Sequence, residues 1–277
     1  MSKAISFLKI TRPLNNIITA LAVFIGAWTA AWVDPLDKLI LALLSASLIS
    51  AGGYVVNDFF DLETDKINKP SRPLPEGKVN VRSALVFSLI LFLTGLLLSL
   101  LIKKIAFILA LTAVLLLVLY SFKLKRAPLV GNLLVSLVCG LAFVYGGIVG
   151  RDFRLSLIPA GFAFLFHLGR EILKDVEDVR GDLSVRAQTI PIAWGVNLSL
   201  LLTTFVFSGL ILLTIVPYYL RVFPLLYLIL VLVVDLLLVY VMVSMWMDQS
   251  KSNLGTLSGI LKFGMILGLL AIFVVRL

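Results

Sequence analysis

Asn57, Asp58, Asp61, Glu63 and Asp65 crowd four carboxylates and an amide into nine residues at the end of a strongly apolar run. On a helix, at about 100° per residue, Asn57, Asp58, Asp61 and Asp65 share an arc of roughly 100°, so their oxygens converge on one side. Like charges so close require a cation. The spacing returns in Asp175, Asp178 and Asp182, each 117 positions after Asp58, Asp61 and Asp65, and two copies of one acidic face imply one shared site. Carboxylate and amide oxygens without His or Cys suit a hard cation. Mg²⁺ in particular keeps several waters and is held by one or two carboxylates plus substrate phosphates.

A complementary set of cations lies nearby: Lys66, Lys69, Arg72 and Lys78 after the first acidic stretch, Lys123, Lys125 and Arg126 after the fourth helix, and Arg170, Lys174, Arg180 and Arg186 around the second stretch. A diphosphate bearing about three negative charges would be clamped from both sides. Most of these cations are accounted for by membrane topology or lipid head groups. Arg72, held in the run Lys69-Pro70-Ser71-Arg72-Pro73-Leu74-Pro75, Lys125 after Tyr120-Ser121, and Lys69 are the ones assigned to substrate.

The elements that must position these groups are apolar throughout. Hydrophobic residues make up 61% of the 277 and charged residues 14%, with mean hydropathy +1.10. Runs of about twenty apolar residues recur along the chain, each long enough to cross a bilayer core as a helix. Nine helices are predicted at 14–33, 37–57, 80–102, 104–121, 128–150, 153–174, 190–214, 222–246 and 254–276. Turn chemistry at Asp34-Pro35, Lys103-Lys104, Ala127-Pro128, Arg151-Asp152 and Pro217 separates them. The chain reads as one all-α, polytopic membrane domain around a central cavity. The first run is a retained helix rather than a cleaved signal.

Seventeen of the 24 Lys and Arg residues fall on the face shared by the N-terminus and the connections after even-numbered helices, against seven on the other. The positive-inside rule makes that face cytoplasmic, and both acidic stretches, read as loops at 58–79 and 175–189, lie on it. The 117-residue offset spans four helices, so the copies run in the same direction, with repeat halves of roughly 1–121 and 122–250 plus a final helix. Lys69 aligns with Arg186 at that offset, and Arg12-Pro13-Leu14 resembles Arg126-Ala127-Pro128-Leu129. The net charge of +9 comes from these short connections, not from a basic face, so no nucleic-acid partner is expected. Cys139 and His167 are single and support neither a disulfide nor a zinc site.

Asn57-Asp58-x-x-Asp61-x-x-x-Asp65 followed by Asp175-x-x-Asp178-x-x-x-Asp182 resembles the two aspartate-rich motifs of the UbiA superfamily of intramembrane prenyltransferases. The resemblance covers nearly the whole chain, including Arg12-Pro13-Leu14-Asn15 at the start of the first helix. It implies that Asn57, Asp61 and Asp65 hold one Mg²⁺ and Asp178 and Asp182 a second. A substrate diphosphate bridges the two. Asp58 and Asp175 stand beside the metals in catalytic or acceptor-side roles. Tyr120, Lys125 and Arg72 match positions that contact diphosphate, with Asn15 and Arg170 as further binding candidates.

The longer patterns Asn68-Lys69-Pro70-x-Arg72-Pro73-Leu74-Pro75-x-Gly77 and Arg170-Glu171-Ile172-x-Lys174-Asp175 are most similar to members that build archaeal ether lipids. The implied reaction moves a geranylgeranyl group from its diphosphate to the hydroxyl of geranylgeranylglyceryl phosphate. Ionisation at the allylic C1 is followed by attack of the hydroxyl, with Asp175 or a diphosphate oxygen taking the proton. Phe162, Phe164 and Phe166 are candidate walls against water. The alternative acceptor is aromatic, a dihydroxynaphthoate or hydroxybenzoate in quinone synthesis. A transporter is the reading from a different class, but its coupling acids would lie near the bilayer midplane. Asp235 alone lies at such depth, and it is expected to pair with Lys262 in the next helix.

Overall fold

The computed structural model describes residues 3–32, 35–184 and 187–276. Asp34 and Arg186 lie outside the described residues. Twelve α-helices are found among them: α1 (Lys3–Ile10), α2 (Pro13–Thr29), α3 (Leu36–Phe60), α4 (Leu62–Asn68), α5 (Val81–Leu100), α6 (Lys104–Phe122), α7 (Val130–Gly147), α8 (Leu157–Ser184), α9 (Ile190–Trp194), α10 (Val196–Tyr219), α11 (Leu225–Met247) and α12 (Lys251–Phe273).

Eight helical segments are long and apolar enough to span a bilayer by themselves, and α1 with α2, bent by 49°, supplies the ninth. The nine expected spans therefore correspond to α2, α3, α5, α6, α7, α8, α10, α11 and α12. Two details differ. The seventh span begins at Val196 rather than at 190, because Gly195 adopts φ 89°, a conformation that ends the short α9. Pro217 does not separate helices; it sits inside the last turn of α10.

The helices form a ring. Consecutive spans pack as neighbours, α2 also packs on α7, and α12 closes the circuit by packing on both α8 and α2. One apolar cluster joins α2, α3, α5, α6 and α7, and a second joins α8, α10, α11 and α12. A third, with Ala22, Phe143, Tyr227 and Ala271, ties the two together. The outer faces are apolar too, as in Leu85, Leu89, Leu93 and Leu97 along α5, which is the expected dress of a helix against lipid.

The α2–α7 seam depends on backbone contact. A Cβ on Gly146 would lie 1.8 Å from the Val23 carbonyl oxygen, and one on Gly26 2.0 Å from that of Phe143. This seam embeds the first span in the bundle.

The acidic residues do not sit in loops. Asn57 and Asp58 belong to the last turn of α3, Asp61 marks a break, and Asp65 lies on α4. Asp175, Asp178 and Asp182 are all on α8, which runs on to Ser184 well past the expected end at 174. Helical backbone satisfies its own hydrogen bonds, so it can carry these acids at a protein-lined polar end where an irregular loop would need other partners.

Asp235 and Lys262 do not pair. Asp235 accepts hydrogen bonds from the Thr214 hydroxyl at 3.1 and 3.3 Å, within the α10–α11 packing. Lys262 instead lines the central cavity. Equal depth on adjacent helices did not bring them together, because the two side chains leave their helices toward different neighbours.

Candidate active site

The ring encloses a cavity of about 840 Å³ lined mainly by apolar side chains of α2, α3, α6, α7, α8, α11 and α12. Leu109, Val138, Phe162, Phe166 and Leu269 are among them, whereas Phe164 is not. Polar groups gather elsewhere on the wall: Arg12, Asn15, Asn57, Lys69, Arg72, Tyr120, Arg170, Glu171, Lys174 and Lys262.

The first acidic copy is buried and neutralised by cations from three separate segments. Asp58, Asp61 and Asp65 are 3%, 8% and 4% exposed, which carboxylates tolerate only with partners. Asp61 pairs with Lys125, which arrives on a single 3-10 turn after α6, and accepts from the Asn57 amide nitrogen at 2.7 Å. Arg72 donates to Asp65 at 2.5 Å and to Asp58 at 3.1 Å. Asp58 also pairs with Arg12.

Local structure fixes each cation. The segment carrying Arg72 is pinned by the buried side chains of Leu74 and Val79 against Val55 and Leu91. It turns back through Glu76 and Lys78 amides donating to the carbonyls of Arg72 and Pro73, with Gly77 at φ 75°. Arg12 occupies the left-handed region, φ 53°, at the bend before Pro13, and its guanidinium stacks over Tyr54 at 4.7 Å.

The second copy is brought to the first by packing of α4 against α8. Lys69, at the end of α4, is depressed below the ordinary lysine range by burial and by the charges of Lys174 and Arg72, with Asp178 and Asp65 acting the other way. Burial and then Asp178 push Asp182 above the ordinary carboxylate range, while Lys125 opposes the rise. Lys125 thus pairs with Asp61 of one copy while its charge acts on Asp182 of the other, and Lys69 feels both Asp65 and Asp178. Tyr120 on α6 is within electrostatic reach of Asp61 and Asp175.

Asp175 does not line the cavity; its Oδ2 accepts from the Asn132 side-chain amide of α7 at 2.8 Å. Glu171 accepts from Arg170 at 2.7 Å and Lys174 at 3.4 Å. Arg12 and Asn132 went unassigned as site residues. Asn132 had a signal, since it stands 117 positions after Asn15, the same offset that relates the acids.

The donor set fits a hard cation. The Asn57 Oδ1 is buried without a hydrogen-bond partner, while its nitrogen is committed to Asp61. An unpaired buried amide oxygen costs roughly 1–3 kcal/mol, and coordination by a cation removes that cost. Among the described residues no group of three acids or imidazoles is already arranged around a metal position. Substrate oxygens would therefore have to complete the coordination.

The model of the UbiA prenyltransferase family matches residues 16–273. This chain belongs to the UbiA prenyltransferase family. Its likeness to a digeranylgeranylglyceryl phosphate synthase of Methanosphaera stadtmanae is 34% identity over 94% of the chain and 95% of that relative. A solved structure concerned with digeranylgeranylglyceryl phosphate synthase superposes with a TM-score of 0.82 at 35% identity, covering 100% of this chain and 99% of that one. A UbiA homologue from Archaeoglobus fulgidus, solved with DMAPP and Mg²⁺, shares the fold with a TM-score of 0.70 at 17% identity over 96% of this chain and 99% of its own. A multi-pass UbiA prenyltransferase accounts for both the apolar cavity and the charged groups on its wall.

Proposed function

We propose that this protein transfers a geranylgeranyl group from its diphosphate to the hydroxyl of geranylgeranylglyceryl phosphate, forming the second ether of an archaeal membrane lipid. The observation that carries the reading is one chamber with two chemistries. Its apolar wall suits isoprenoid chains, and its charged wall, which includes Asn57, Lys69 and Arg72, adjoins the acidic end of α3 and α4, where Arg72 holds Asp58 and Asp65. The names of the relatives support the choice of acceptor.

Asn57, Asp61 and Asp65 would hold one Mg²⁺ and Asp178 and Asp182 a second, and the bound ions would neutralise charge growing on the leaving diphosphate. Lys125, Arg72, Lys69 and Tyr120 bind the same group, Lys125 and Arg72 exchanging carboxylate partners for phosphate oxygens. Asn15 and Arg170 line the same chamber as further substrate contacts. As the C1–oxygen bond to diphosphate breaks, the apolar lining keeps water from the allylic cation and the acceptor oxygen bonds to C1. The hydroxyl proton passes to a diphosphate oxygen, or through it to Asp175, which stands behind the cavity wall. Asp58 holds Arg12 and Arg72 against the cavity. The excess of basic residues on the acidic side supports a cytoplasmic active site.

The test is turnover of geranylgeranyl diphosphate with Mg²⁺, with geranylgeranylglyceryl phosphate and 1,4-dihydroxy-2-naphthoate offered in parallel and products identified by mass. A digeranylgeranyl product is expected. Prenylated naphthoate alone would refute the acceptor, and no product from either would refute the reaction.

A further inference from the structure

The cavity wall carries more positive charge than its acids balance. Six cations line it, Arg12, Lys69, Arg72, Arg170, Lys174 and Lys262, and Glu171 is the acid of that lining among the described residues. Asp58 and Asp65 behind the wall take up Arg12 and Arg72. Glu171 is shared by Arg170 and Lys174. Lys262 makes no ion pair among the described residues, although it lies within a membrane-spanning helix, where an unpartnered ammonium is costly.

The acid that acts on it, Glu177, is already engaged elsewhere. The α8–α12 contact places Glu177 against Ser258, whose hydroxyl donates to it at 2.8 Å, one turn from Lys262. Further along the same seam Gly264 faces Phe166. Between those two levels Lys262 feels the charges of Arg170 and Lys174 more strongly than that of Glu177. The Arg170 Nε is itself buried and without a hydrogen-bond partner. Three cations with one carboxylate between two of them line this part of the cavity, and one buried donor has nothing to donate to.

This cluster leads away from the diphosphate groups: Lys174, one turn before Asp178, still acts on Lys69, but the rest lies beyond it. Arg170 precedes Asp178 by eight residues on α8, about 12 Å along the axis at 1.5 Å per residue, and lies deeper in the bundle. Lys125 and Arg72 are engaged with the first acidic copy on the other side. Resting on the reaction proposed above, we infer that Arg170, Lys174 and Lys262 form a second anion site, which holds the phosphomonoester of the lipid acceptor and so selects phosphorylated acceptors. An anion there satisfies Arg170 Nε, gives Lys262 a partner at its own depth, and leaves the acceptor's hydrocarbon chain against the apolar lining.

The test measures binding as well as turnover, in detergent, for the wild type, Lys262→Gln and Lys262→Arg. Calorimetric titration with geranylgeranylglyceryl phosphate should show at least roughly tenfold weaker binding for Lys262→Gln, the scale of one charge-assisted hydrogen bond, with most of it restored in Lys262→Arg. The KM for geranylgeranyl diphosphate should not move, and the wild type's preference over phosphate-free geranylgeranylglycerol should shrink in Lys262→Gln. Competition by phosphatidic acid but not by inorganic phosphate would assign the site to a lipid-borne phosphate; competition by both would assign it to phosphate as such. Unchanged acceptor binding in Lys262→Gln, or an equal rise in donor KM, would overturn the inference. Weakened binding in a protein that makes no ether would leave the anion site standing and refute the reaction instead.

Discussion

Replacing Arg72 by Met should cost stability in a way that Mg²⁺ partly repairs. Arg72 is shared by Asp58 at 3.1 Å and Asp65 at 2.5 Å, whose side chains are 4% and 6% exposed, while its own is 24% exposed. Asp58 keeps Arg12 in the variant, so Asp65 bears most of the loss. Breaking a fully buried pair costs about 3–5 kcal/mol. With about a quarter of the Arg72 side chain in contact with solvent, and one of two acceptors retaining a cation, about 2–3 kcal/mol is expected here. Thermal unfolding in detergent should therefore show a clear drop for Arg72→Met. Saturating Mg²⁺ should raise the variant's transition by more than the wild type's, because the metal then supplies the missing charge at Asp65 without displacing an arginine. Arg72→Lys should recover only part, since one ammonium replaces a planar donor shared by two carboxylates. A Met variant as stable as wild type without Mg²⁺, or an identical Mg²⁺ response in both, would refute the role assigned to this pair.

Three further substitutions probe other parts of the structure. Asp182→Asn should lower prenyl transfer by at least roughly 10³-fold while the protein still inserts and purifies, as steady-state turnover of the purified variant would show. Asn132→Ala removes the amide that fixes Asp175 at 2.8 Å and should reduce kcat by about tenfold with little change in donor KM. Gly146→Val should destabilise the bundle by about 2 kcal/mol or more, read as a lowered thermal transition, because its Cβ would meet the backbone oxygen of Val23 at 1.8 Å.

The nine spans were legible because each is an apolar run closed by turn residues, and the bilayer leaves helix as the only economical backbone for such runs. The acids stand out in the sequence as a candidate site because three positions recur at one offset. Their setting does not: a break at charged residues reads as the end of a membrane span, but α8 continues as helix to Ser184, since a helix can leave the apolar layer without changing its backbone. Side-chain direction was also hidden. Asp235 and Lys262 lie at comparable depth in sequence, yet one turns to Thr214 and the other to the cavity, which depends on how each helix is rotated in the ring. Arg12 escaped assignment because its role rests on a left-handed turn before Pro13 that aims it at Asp58.

The claim on which the account rests is that the two acidic copies serve one diphosphate. The most direct measurement is Mg²⁺-dependent binding of a non-reactive geranylgeranyl thiodiphosphate by calorimetry to the wild type, Asn57→Ala and Asp178→Asn. Either substitution, one in each copy, should abolish the Mg²⁺-dependent part of the binding. Wild-type binding in Asp178→Asn, with loss confined to Asn57→Ala, would contradict it.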